Sequence, residues 1–142
     1  MGLEINRDKT RVVHLGEVGS SLDFLGYTFR YDRDLHGRDR RYLNMFPSEK
    51  ALARERERLR EMTSPRHGWQ PIPLLIEEIN RHLRGWGNYF SLGYPRVARR
   101  EINASVRERL TAHLQRRSQR RYRLPGGVTP YEQLQRWGLE YL

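Results

Sequence analysis

The chain has 142 residues and a net charge of +10, from 27 basic and 17 acidic side chains. That length fits one domain or two very small ones, and an apolar content of 37%, against the usual ~45–50%, implies a modest core under a polar surface. The absence of cysteine excludes disulfides and thiolate metal sites. No apolar run approaches the ~18 residues of a membrane span and no signal peptide is visible, so a cytoplasmic location is expected.

The first third reads as β-structure. Thr10 to Leu15 is a short strand pattern centred on Val12 and Val13. Asp23 to Tyr31 alternates, with Leu25, Tyr27, Phe29 and Tyr31 on one side, and predicts a second strand. Gly26 inside that pattern points to a bulge or to the close approach of another backbone. A turn over Asp32 to Asp39 leads to a third strand, Arg41 to Phe46. Such a sheet needs something packed on one face to be stable. Met1-Gly2 opens straight onto this strand-like sequence, as expected of a fragment cut from something longer.

From Ser48 onward the periodicity is helical. Ser48 is a natural cap for a first helix that runs to about Met62. Its apolar stripe is thin, with Leu52, Leu59 and Met62 amid Arg-Glu alternation, and predicts a solvated helix laced with ion pairs. Thr63 to Gln70 contains Pro65 and Gly68 and reads as a loop. A second helix starts near Pro71 to Pro73. Its apolar positions Ile72, Leu75, Ile76, Ile79, Leu83, Trp86 and Phe90 make a wide buried stripe, and Gly93 and Pro95 end it. Asn88 and Tyr89 fall off that stripe. In a third helix Ala98, Ile102, Val106, Leu110 and Leu114 recur every four residues. After the Pro125-Gly126-Gly127 break, Thr129-Pro130-Tyr131-Glu132 combines a capping box with proline at the first helical position. Leu134 and Trp137 form a short apolar face that Gly138 can end.

The charge is concentrated in one place. Residues 96–123 hold ten Arg and two Glu and so carry +8 of the +10. A basic field confined to one segment favours a polyanion partner, because clustered guanidinium groups fork phosphate and release its counterions. Arg99, Arg100, Arg107 and Arg109 lie off the apolar row of the third helix, and Arg116, Arg117, Arg120 and Arg121 follow it. The plain alternative is a solvated helix face. Enzyme signatures are missing: there is no glycine-rich phosphate loop, no Gly-x-Ser-x-Gly elbow and no histidine cluster. His82, between apolar positions, reads as a packing or hydrogen-bonding residue. Asp32 and Asp34 read as turn residues more than as a metal pair. No general acid and base come together, and neither a catalytic residue, a metal nor a cofactor is implied.

Leu83-Arg84-Gly85-Trp86-Gly87-Asn88-Tyr89-Phe90 resembles the hallmark of the group II intron maturase-specific domain. Upstream, Asn6, Lys9-Thr10 and Asp23-Phe24-Leu25-Gly26-Tyr27 resemble the end of the palm in reverse transcriptases of that family. The order of these elements also matches, and the resemblance spans nearly all of the chain. The Tyr-Ala-Asp-Asp metal motif of the polymerase palm is absent, as are the fingers and a nuclease tail. Polymerisation needs metal-held carboxylates, so this chain alone is expected to be no enzyme.

The resemblance implies an α+β protein. A small antiparallel sheet over 1–46 would be the end of a palm, and about four helices over 47–142 would form the thumb and maturase region. It implies binding of group II intron RNA, help in splicing it, and a share in the primer–template cleft of a longer reverse transcriptase, with no membrane contact. Arg99, Arg100, Arg107, Arg109, Arg116, Arg117, Arg120 and Arg121 would hold phosphate, and Asn88 and Tyr89 would make closer RNA contacts. Phe24, Leu25, Gly26 and Tyr27 would grip the primer strand. Two other classes stay open: a stand-alone, sequence-tolerant nucleic-acid-binding module, and a helical protein-interaction domain for an acidic partner.

Overall fold

The structure is a computed structural model that describes residues 20–33, 41–117 and 122–142. It is an α+β arrangement: a three-stranded antiparallel sheet in the order β1-β2-β3, then four helices. The strands are β1 (Leu22–Phe24), β2 (Tyr27–Arg33) and β3 (Arg41–Pro47). The helices are α1 (Glu49–Met62), α2 (Ile72–Tyr89), α3 (Arg96–Arg116) and α4 (Pro130–Arg136), with a single 3₁₀ turn, Pro65–His67, between α1 and α2. The strand pattern at Thr10 to Leu15 lies outside the described residues, as do most of the turn before β3 and Asp34.

The alternating run Asp23 to Tyr31 is two strands, which corrects the single strand expected there. Phe24 pairs with Tyr27 and Leu22 with Phe29, so Leu25-Gly26 is a two-residue hairpin turn. Both turn residues have positive φ, 53° at Leu25 and 84° at Gly26. That combination matches the right-handed twist of the flanking strands. The alternation misled because a two-residue turn preserves the parity of the pattern. Gly26 is also a site of close approach, though to a side chain: a Cβ there would lie 3.2 Å from the Phe90 ring.

The helix spans follow the sequence closely, and their packing adds a correction. Ser48 caps α1, its side chain accepting from the Ala51 amide at 3.1 Å. Leu52, Leu59 and Met62 are buried as the stripe predicts, but Glu55 is buried between them. Helix α1 is therefore a packed helix, lying against α3 and α2, with ion pairs such as Arg58–Glu61 on its outer face. Glu55 is tolerated because His82 of α2 meets it at 2.7 Å. Leu59, Leu75, Ile76, Ile79, Leu83, Ile102, Val106 and Leu110 form the centre of the core. Among the described residues no helix is long and apolar enough to cross a membrane.

The sheet is fastened to the C-terminal end of α2. Tyr27 is buried with its ring 5.2 Å from that of Phe90, and its hydroxyl donates to the Tyr89 carbonyl. The amide of Ser48 donates to the Gly26 carbonyl at 2.7 Å, and that of Tyr94 to the Met45 carbonyl at 2.8 Å. Gly93, at φ 71°, lets the α2–α3 connection run directly over β3, where any Cβ would collide with the Met45 carbonyl.

Candidate nucleic-acid interface

The arginines of the third helix divide among several faces, because a four-residue repeat does not stay on one. Each step of four advances about 40° beyond a full turn, so the apolar row spirals. Ala98, Ile102, Val106 and Leu110 are buried, whereas Leu114 is only partly so and His113 takes the last buried place. A position off the row can consequently point either way. Arg107 and Arg109, two residues apart, lie about 200° from each other around the helix.

Four arginines do converge. Arg96, Arg99, Arg100 and Arg107 line a groove of about 590 Å³ along α3, together with Asn103 and Tyr131. Separations of three, four and seven residues put them on one face. None of the four has an acidic partner among the described residues. On α1, by contrast, Arg56, Arg58 and Arg60 face Glu101, Glu61 and Glu57. The Nε of Arg99 is enclosed with no acceptor among the described residues. A buried donor without an acceptor is costly, and an anion beside its guanidinium offsets part of that cost. Unpaired guanidinium groups in a concave wall concentrate positive potential. Arg96 was not among the expected contacts, although it begins the same face four residues before Arg100.

The remaining expected contacts fall elsewhere. Arg109 does not border the groove. Arg116 folds back onto the helix end, donating to the Ala112 carbonyl at 3.3 Å and to that of Thr63 at 3.4 Å. Arg117 is exposed beyond the helix end, and Arg120 and Arg121 lie outside the described residues. Asn88 and Tyr89 are exposed in the last turn of α2. Tyr89 is also structural, since its hydroxyl donates to the Leu25 carbonyl at 2.9 Å. Of Phe24 to Tyr27, Phe24 and Leu25 are exposed at the hairpin tip, while Tyr27 is core. Leu25 holds a left-handed conformation that bulky residues rarely adopt. Asp32, once weighed as half of a metal pair, is engaged locally. Burial works against its carboxylate, but hydrogen bonds from Asn44 and Arg30, with the Arg30 charge, outweigh that and hold it below its ordinary range.

One wall of the groove is built by residues that were not among the expected contacts. Asn103 brackets Leu142, accepting from its amide at 2.9 Å and donating to its carbonyl at 3.2 Å. Asn80 of α2 does the same for the segment before it, donating to the Gly138 carbonyl and accepting from the Glu140 amide, both at 2.8 Å. Two asparagine amides thus hold residues 138–142 as a neighbouring strand would. That segment places Tyr141 flat against Tyr131, with ring centroids 4.2 Å apart and planes 9° from parallel. The Tyr141 hydroxyl donates to the Tyr131 carbonyl at 3.1 Å. Burial pushes the Tyr141 phenol above its ordinary range, Tyr131 adds to this, and Arg107 opposes it. Asn80 did leave one trace in the sequence: a polar residue beside Ile79 within the apolar stripe of α2.

No curated protein and no solved structure matches the chain. The family model of the group II intron maturase-specific domain matches residues 52–125, which takes in most of α1 and all of α2 and α3.

Proposed function

The chain belongs to the group II intron maturase-specific domain family, and from that premise we propose that the arginine groove of α3 holds the phosphate backbone of intron RNA. A maturase role follows from the family, and the matched domain is a maturase domain, not a catalytic one. The finer reading is that the protein binds the intron and favours its splicing-competent fold. The observation that carries it is the row Arg96, Arg99, Arg100 and Arg107, four cations without an acidic partner among the described residues, on one face of a helix inside the matched span. Guanidinium groups so placed neutralise successive phosphates without reading sequence.

The hairpin tip supports a second contact within the same reading. Phe24 and Leu25 stand exposed beside the equally exposed Tyr89, and the Tyr89 hydroxyl fixes the tip. In a full reverse transcriptase this tip would meet the primer strand, with the remainder of the palm and the fingers supplied by the rest of that protein.

The test is a salt titration of binding to a group II intron RNA, to duplex DNA and to an acidic protein. Intron RNA should bind tightest, with log K falling linearly as log salt rises. A flat salt dependence, or preference for the acidic protein, rejects the reading.

A further inference from the structure

The groove has an aromatic wall as well as a basic one, and the two together select the form of the nucleic acid. Tyr131 borders the groove and is 42% exposed. One face of its ring is covered by Tyr141 at 4.2 Å. Tyr141 is itself partly buried against the core and tied by its hydroxyl to the Tyr131 backbone. The asparagine brackets at Asn80 and Asn103 fix the segment that carries it. The pair is therefore a rigid, backed platform beside four guanidinium groups that have no acidic partner among the described residues.

We propose that this corner is a subsite for a single-stranded nucleotide, with its base stacked on Tyr131 and its flanking phosphates held by Arg96, Arg100 and Arg107. The inference rests on the reading of the groove as a backbone site and adds the strandedness of the ligand. In a duplex every base is already stacked between neighbours, and an A-form helix offers side chains only its shallow groove and its phosphates. An exposed ring backed by another ring offers a stacking face to a base that has left the stack. Stacking is indifferent to base identity, because every base has a π-face. Both rings lie beyond residue 125, outside the matched span. The platform lies on α4 and the segment after it.

The experiment uses the full chain, a labelled ten-nucleotide oligouridylate, and a blunt RNA duplex of similar length. Tyr131→Ala should weaken binding of the single strand by about 5- to 150-fold, the range for one base–aromatic stack, with the salt slope unchanged. Duplex binding should not move, and Tyr131→Phe should bind the single strand like the parent. Arg100→Ala together with Arg107→Ala should weaken both ligands and make the salt slope shallower. An oligonucleotide carrying 5-iodouracil, irradiated with the unaltered protein, should crosslink to Tyr131. This last measurement needs no variant to fold. If Tyr131→Ala weakens single strand and duplex equally or neither, or if the crosslink maps elsewhere, the subsite is wrong. The backbone reading of the groove then stands as long as the arginine pair still changes the slope. If the arginine pair changes nothing, the groove itself is not the site.

Discussion

Reversal of the groove's charge gives the sharpest expectation. Arg96, Arg99, Arg100 and Arg107 border the groove without acidic partners among the described residues. If each neutralises one phosphate of a single strand, log K falls against log salt with a slope of about −2.8, at ~0.7 per contact. Between about 50 and 200 mM salt that is a loss of roughly 50-fold. Reversing Arg96, Arg100 and Arg107 to Glu leaves one contact, so the slope should shrink to about −0.7 and the loss over the same window to roughly threefold. Arg99 is left alone because its Nε is enclosed in the packing. At intermediate salt the triple variant should bind at least about tenfold more weakly, or about 1.4 kcal/mol. The matched control reverses Arg54, Arg58 and Arg60 on α1, with the same change of six charges. There Arg58 and Arg60 face Glu61 and Glu57, and each lost surface pair costs roughly 0.3–0.5 kcal/mol of stability. Anisotropy titrations of a labelled oligouridylate over a salt series give both slopes, and circular dichroism melts check the folds. Equal losses of affinity and slope in the two variants would mean that only net charge matters, and the localised groove would be refuted.

Three further expectations concern the scaffold. Gly93→Ala should cost about 2–4 kcal/mol, from left-handed strain and loss of the Tyr94–Met45 hydrogen bond; a parental denaturation midpoint would show that β3 does not need this close approach. Trp86→Ala should cost roughly 3–5 kcal/mol, because the ring is buried against Phe90 at 4.7 Å; thermal melts decide, and an unchanged melt would mean the ring is not core. The third concerns pH. Burial depresses the His113 pKa below its ordinary 6.5, the Thr63 carbonyl bonded to its Nδ1 opposes this, and the charges of Arg117, Arg116 and His67 deepen it. The unfolded chain therefore takes up this proton first as pH falls. Stability is full above about 6.5 and drops below it, until the lower folded pKa is reached. Denaturant midpoints at a pH above and a pH below that value should differ less in His113→Gln than in the parent, and equal differences would remove His113 as the cause.

The sequence by itself determined what depends on local periodicity and local chemistry. The stripe from Leu75 to Phe90 fixed the buried face of α2, and Ser48 and Thr129 fixed the starts of α1 and α4 through hydrogen bonds made within a single turn. The Trp-Gly-Asn-Tyr-Phe element at the end of α2 carried the family. The tertiary structure decided whatever depended on partners distant along the chain. Glu55 looked solvated until His82, 27 residues away, was placed 2.7 Å from it. The hairpin at Leu25-Gly26 was hidden because a two-residue turn keeps the alternation intact. The basic segment did not declare which of its arginines share the groove, because a four-residue repeat spirals about 40° per step and sends neighbouring arginines to opposite sides. Tyr131 and Tyr141 meet where Asn80 and Asn103 hold backbone 58 and 39 residues away, and no local pattern encodes such a bracket. Local order needs only near neighbours, whereas a binding wall is assembled from side chains that only the closed fold brings together.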